Sequence, residues 1–197
     1  MADKPTYYDK RSDFWKRHWE QAKPYDHYLE GHDESLTVRW YETMERLPEL
    51  QHEQAEKLRG YNRELNMLMY AGVWCGDCSR QGPMLKKIKD AIGLDANLRV
   101  IDRESSEELQ DELRIVGALR VPMVVFLSED FWEVGRFGDR MITTYRAKAA
   151  RQLGRDFNAG ILTPRALANE MAEWVYIVER MLIMLRLSPP LRRRYDD

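Results

Sequence analysis

Apolar positions recur along this chain first at helical spacing, then in short continuous runs, then at helical spacing again. From Asp33-Glu34-Ser35, the residues Leu36, Trp40, Met44 and Leu47 return at intervals of four, four and three, which predicts one face of a helix. Pro48 ends that helix and can begin another at its first turn; Leu50, Ala55 and Leu58 carry it to a stop at Gly60. Leu65 to Val73 (LNMLMYAGV) is a short apolar run containing Gly72 and predicts a buried strand. A helix is expected from Gly76 to Ile92, kinked at Pro83, then a strand at Leu98 to Asp102 and a capped helix from Ser105 to Val116. Val121 to Leu127 and Trp132 to Phe137 predict two more strands, joined closely enough by Ser128–Asp130 to form an antiparallel hairpin. Strands linked through helices predict parallel pairing, so the expected fold class is α/β: a central mixed sheet of about four strands flanked by helices.

The ends add helices. Phe14, Trp15, His18 and Trp19 share one helical face in an aromatic-rich N-terminal arm, and Tyr25, His27 and Tyr28 follow a break at Pro24. The arm is read as packing on the domain or as offering a partner surface. Ile142 to Leu153 is helical, and Thr163-Pro164 caps a long helix bearing Leu167, Met171, Trp174, Val178, Leu182 and Leu185. That wide stripe either closes the core against the N-terminal helices or forms a homodimer interface, leaving monomer and dimer both open. SPPLRRRYDD reads as a solvated polar tail. The expected division is an arm at 1–33, a central domain at 34–153, a helical extension at 154–187 and the tail at 188–197.

Composition narrows the class. Of 197 residues, 32% are charged and 44% hydrophobic, an ordinary globular mixture, and the net charge of −2 gives no general pull toward nucleic acid or anionic lipid. Arg192–Arg194 is followed by Asp196 and Asp197, so no nucleic-acid patch is read there. The start MADKPTYYDKR has no apolar secretory segment, and Trp174 to Leu187 is interrupted by Glu179, Arg180 and Arg186. The expected compartment is the cytoplasm, with no membrane association, where structural disulfides are unusual.

Both cysteines lie in V-W-C-G-D-C-S-R-Q-G-P, at Cys75 and Cys78. Two thiols at this spacing are a redox couple, half a metal site or two buried small hydrophobes. Zinc takes about four ligands. The four histidines, at 18, 27, 32 and 52, have no H-x-x-H spacing and lie toward the N-terminus, all before the cysteines. At a strand-to-helix junction, by contrast, unpaired N–H groups and the helix dipole favour a thiolate on Cys75.

W-C-G-D-C after an apolar strand resembles the thioredoxin superfamily, whose hallmark is W-C-x-x-C at a helix start. Pro83 resembles the proline inside the redox helix, and Val121-Pro122 the cis-proline segment facing the disulfide. Gly138 resembles the glycine that keeps the substrate groove open. With FLSEDFWEVGRFGDR, the match is similar to a group of small bacterial thioredoxin-like proteins in which helices replace the usual first strand. It covers about Ser35 to Leu153, and leaves the arm and the last long helix unmatched.

The resemblance implies a thioredoxin-like fold and a thiol–disulfide oxidoreductase acting as a protein disulfide reductase. Cys75 would be the nucleophile and Cys78 the resolving thiol. Trp74 would shield the pair, the Val121 backbone would pair with an extended substrate, and Pro122 would keep the backbone off the sulfurs. No flavin, nicotinamide or metal motif is visible. The expected cofactor is therefore none beyond the cysteine pair, with electrons supplied by an unidentified thiol reductant or reductase. The alternative is a thioredoxin-like binding or redox-sensing module whose arm and last helix hold a partner.

Two departures matter. Met69 stands where ordinary thioredoxins have a buried carboxylate. The middle pair is Gly76-Asp77, and the Asp77 charge repels a thiolate at Cys75 by on the order of 1–3 kcal/mol before screening. Since about 1.4 kcal/mol is 30 mV for a two-electron couple, Asp77 predicts a reducing enzyme, with Arg80 offsetting part of the effect.

Overall fold

The computed structural model describes residues 9–94, 96–154 and 163–197. The polar start at 1–8, part of the expected arm, and residues 155–162 of the expected extension lie outside the described residues. In chain order the elements are α1 (Ser12–Gln21), β1 (Lys23–Pro24), α2 (Tyr25–Glu30), α3 (Glu34–Arg46), α4 (His52–Arg59), β2 (Leu65–Ala71), α5 (Gly76–Ile92), β3 (Ala96–Asp102), α6 (Glu107–Glu112), β4 (Met123–Leu127), β5 (Glu133–Gly138), α7 (Ile142–Leu153), α8 (Pro164–Leu187) and α9 (Pro189–Tyr195).

The strands form one mixed sheet in the order β1-β3-β2-β4-β5. β2 is buried at every position, as its unbroken apolar run requires of a strand covered on both faces. It pairs in parallel with β3 (Met69 opposite Val100) and antiparallel with β4 (Met69 opposite Val124). The expected parallel pairing therefore holds only for β2 and β3, which α5 connects. The six residues of α6 rise only about 9 Å, against about 23 Å for a seven-residue strand, so α6 cannot carry the chain back along the sheet. The chain enters β4 from the end at which β3 leaves. This reversal brings Val121-Pro122 to the C-terminal edge of β2, where the cysteines begin.

Helix α6 is also shorter than the expected Ser105–Val116. Ser106 caps it, its hydroxyl accepting from the Leu109 N–H at 3.2 Å. Beyond Leu113, Val116 and Gly117 take left-handed backbone, and Ile115 and Ala118 close a tight turn through paired 3.0 Å hydrogen bonds. The hairpin of β4 and β5 forms as expected, with a register shift at Phe126/Leu127.

The sheet has a fifth strand, where about four were expected. Lys23–Pro24 pairs antiparallel with β3 at Val100 and Arg99, so the first-strand position is held by a two-residue edge rather than by helices alone. Proline is tolerated there because an edge needs only one side of its backbone paired. Around it the arm enters the core: Trp15, Trp19, Tyr25 and Tyr28 are buried, and Arg99 stacks on Trp19 at 5.2 Å. In α3, Trp40 is fully buried, whereas Leu36 in the first turn is exposed and Thr37 takes the inward place.

Helix α8 buries Leu167, Met171, Trp174, Val178, Leu182 and Leu185 against its own chain. Trp174 packs on Phe126 of β4 and Phe137 of β5, with ring centroids 6.4 and 5.2 Å away. The stripe is thus buried within its own chain, on the sheet through Trp174 and toward the N-terminal helices, where Leu167 lies beside α3 and Glu179 of α8 pairs with Lys57 of α4 at 2.5 Å, and it is not free to be a homodimer interface. The expected solvated tail is folded. Pro189, following Ser188, opens α9, Leu191 is buried, and Asp197 pairs with Arg63 at 3.0 Å and with Arg186. Among the described residues, no helix is long and apolar enough to cross a membrane.

Candidate active site

Cys75 is the N-cap residue of α5, in extended backbone, and its Sγ accepts the Cys78 N–H at 3.3 Å. The orphan N–H groups of a helix start favour negative charge at this sulfur. Both thiols are free. Both cysteines are buried, but Cys75 keeps 8% of its surface exposed while Cys78 is fully sealed. A hydrogen bond from the Cys78 thiol holds the Cys75 thiol down, to about 7, against the cost of burial. The N–H groups of Cys78 and Asp77 add to this, and the Asp77 carboxylate opposes it. Burial pushes Cys78 well above the ordinary thiol range, and the neighbouring Cys75 adds to the effect. The pair is split into an acidic outer thiol and a resistant inner one.

The surroundings come from separate elements. The strand end is anchored by Trp40, whose Nε1 donates to the Val73 carbonyl at 3.0 Å. The Trp40 ring lies where a Cβ on Gly82 would stand, at 2.2 Å, so this glycine lets α3 press against α5. Trp74 is half exposed and folds back over Gly72, and Arg103 stacks on its indole at 5.1 Å. The Val121–Pro122 peptide is cis, and the Cys75 thiol faces the Val121 carbonyl at 3.7 Å. These two residues precede β4 instead of opening it. Gly138 sits opposite Met123, where a Cβ would strike the Pro122 carbonyl at 2.5 Å, so its role here is close backbone approach. Met69 is buried in β2.

Arg80 does not face Asp77. Its Nε donates to Glu170 of α8 at 2.5 Å, and both side chains are buried. Asp77 instead pairs with Arg140 at 2.7 Å, and Arg140 also pairs with the buried Asp139 at 2.7 Å. The offset expected from Arg80 therefore belongs to Arg140. Arg80 lies one turn after Gly76 and its side chain is drawn away toward the carboxylate of α8. Asp139 is further held by Arg120 at 3.2 Å and by the Tyr145 hydroxyl. Periodicity gave no hint of Arg140. The buried Glu170 was readable as a lone acid at a stripe position of α8, three residues from Leu167 and four from Trp174. On the inner side, the Tyr28 hydroxyl donates to Asp102 at the end of β3, at 3.2 Å.

This arrangement predicts opposite effects for two substitutions. Asp77→Asn lowers the Cys75 thiol pKa and Arg140→Met raises it, each by roughly half a pH unit for a partly exposed pair. Thiolate absorbance titrations of the reduced variants read both shifts. Movement of both in the same direction would show that the pair does not act on the sulfur.

The described residues contain no cluster of His, Cys, Asp and Glu suited to a metal. A family model described as thioredoxin matches residues 22–150. Among solved structures, a protein of unknown function from Pseudomonas aeruginosa is similar with a TM-score of 0.63 and 17% identity, over 84% of this chain and 94% of that one. An HIV epitope-scaffold protein is similar with a TM-score of 0.62 and 18% identity, over 85% of this chain and 96% of that one. At these identities the likeness concerns the fold. No curated protein matches the sequence.

Proposed function

Because the chain belongs to the thioredoxin family, we propose that it is a thiol–disulfide oxidoreductase that reduces protein disulfides in the reducing cytoplasm. One observation carries the reading: the outer thiol sits at a helix N-terminus with its pKa lowered to about 7, while the inner thiol three residues on is sealed. Two buried structural cysteines would need neither feature.

In the proposed cycle, the Cys75 thiolate attacks one sulfur of a substrate disulfide. The substrate S–S bond breaks, its second sulfur leaves with the electron pair and takes a proton, and a Cys75–substrate disulfide forms. Cys78 then loses its proton and attacks the Cys75 Sγ. The mixed disulfide breaks, the second substrate thiol departs, and a Cys75–Cys78 bond closes. Two electrons have passed to the substrate, and an external thiol reductant returns them. In this reading the Val121 backbone receives an extended substrate segment, Gly138 lets β5 approach the Pro122 carbonyl beside it, and Trp74 flanks Cys75. No metal, flavin or nicotinamide is required. The alternative of a binding or sensing module loses support, because Trp15, Trp19, Tyr25 and Tyr28 of the arm that would hold a partner are built into the core.

The direct test is reduction of insulin disulfides by dithiothreitol. Catalytic amounts of this protein should accelerate insulin precipitation; a rate equal to dithiothreitol alone counts against the proposal. A second expectation concerns pH. Carboxamidomethylation of the reduced protein should titrate with a midpoint near 7 at Cys75, while Cys78 stays unmodified to well above pH 9. Mass mapping of the alkylated sites distinguishes this from equal labelling.

A further inference from the structure

A cavity of about 450 Å³ lies beside the redox helix, between its first turn and α3, with Leu167 of α8 closing one side. Its wall includes Gly76, the residue directly after Cys75, and the side chain of Ser79. Three guanidinium groups, of Arg39, Arg46 and Arg80, share this lining with one carboxylate, Glu42. Arg80 is neutralised by the buried Glu170. Arg39 and Arg46 are exposed on α3, and no ion pair joins either to a carboxylate among the described residues. With Glu42 counted, the described residues of the lining keep one positive charge in excess. The volume suits a small molecule rather than a protein surface. Nothing lies within 4 Å of where a Cβ of Gly76 would stand, so the wall is open at the residue that follows Cys75.

We propose that this cavity binds an anionic low-molecular-mass thiol, a short carboxylate-bearing cysteine peptide, as the electron donor that resets the oxidised pair. This rests on the reading of Cys75 and Cys78 as a redox couple. Arg39 and Arg46 hold the donor's carboxylates, and the Thr43 and Ser79 hydroxyls in the same wall add neutral hydrogen-bonding partners. The donor's thiol is left to reach past Gly76. Since Cys78 is sealed, the entering thiolate attacks the Cys75 Sγ. The Cys75–Cys78 bond breaks, and Cys78 leaves with the electron pair and takes a proton. A second donor thiolate then attacks the donor sulfur of the mixed disulfide. That bond breaks, Cys75 departs as the thiolate, and the donor leaves as its own disulfide. Two donor thiols are oxidised for one protein disulfide reduced.

The test uses the full-length oxidised protein and two probes with the same thiol, reduced glutathione and its diethyl ester, whose carboxylates are masked. Second-order rate constants for reduction are measured by acid quench, alkylation and mass analysis, and corrected for each probe's thiolate fraction. Wild type should favour the free acid over the ester by about fivefold at low salt, the size expected of two exposed charge contacts, and the preference should shrink as salt is added. Arg39→Glu with Arg46→Glu should bring the ratio to one or below, and Glu42→Gln should raise it. Equal rates for the two probes in wild type, or a ratio that these substitutions do not move, overturn the assignment of the cavity. If the pair cycles with dithiothreitol in that case, the redox reading stands; if dithiothreitol cannot cycle it either, both readings fall.

Discussion

Cys75→Ser is expected to bring insulin reduction down to the rate of dithiothreitol alone, while Cys78→Ser is expected to stop the cycle halfway. The difference follows from access. Of the two residues only Cys75 keeps any exposed surface, and only its thiol is held near 7 by the hydrogen bond from its neighbour. Serine at 75 removes the one group able to begin exchange, since a hydroxyl remains protonated at this pH and is no match for a thiolate. Serine at 78 leaves the first attack possible but removes the internal thiol that would release the product, so a mixed disulfide accumulates. Non-reducing electrophoresis of a Cys78→Ser protein exposed to a disulfide-containing substrate should show a covalent adduct that dithiothreitol dissolves. The Cys75→Ser protein should show none. The adduct should also form more slowly at pH 6 than at pH 8, because less of Cys75 is thiolate below its pKa of about 7. Adducts on both variants would mean that the inner thiol is reached directly, contrary to its burial.

The second large effect is on stability. Glu170→Ala should cost about 3–5 kcal/mol, because it leaves the Arg80 guanidinium facing a buried site without the carboxylate that holds it. Glu170 is wholly buried and also accepts from the Thr144 hydroxyl at 3.3 Å. In a chain of this length such a loss lowers the unfolding midpoint by on the order of 10 °C. The double change Arg80→Met with Glu170→Leu removes both charges, and should recover most of the stability, since a buried ion pair is often replaceable by apolar side chains. Urea unfolding of the two singles and the double gives the coupling directly. Single variants within about 1 kcal/mol of wild type would show that the pair contributes little. The pair also joins α5 to α8, an element outside residues 22–150 that match the family model.

What could be read from the sequence was whatever leaves a periodic or chemically specific trace. The strand before the cysteines, the helix from Gly76 to Ile92 and the β4–β5 hairpin all carried such traces, as did the thiol pair. Val121-Pro122 was visible because a proline beside a buried strand needs a special reason. Lys23–Pro24 was invisible as a strand because two residues have no period, and its place depends on the partner edge of β3. Helix α6 was overextended because its acidic run continues the helical pattern to a turn that only Val116 and Gly117 break. The tail was misjudged by composition: SPPLRRRYDD is polar, yet Leu191 inserts into the core and Asp197 finds Arg63 across 134 positions of sequence. Charge pairing failed for the same reason. Arg80 is nearer than Arg140 to Asp77 along the chain, but the fold gives Asp77 to Arg140. Removing residues 1–33, a natural way to ask whether the arm binds a partner, would take Trp15, Trp19 and Tyr28 out of the core and report on folding instead.

In the proposed cycle, the sealing of the inner cysteine also works as a clock. A captured protein stays tethered until Cys78, a single helical turn away, gives up a proton that burial makes costly. The dwell time is then set inside this one helix. Substrates of very different size would be released at similar rates once caught, and selectivity would reside almost wholly in the moment of capture.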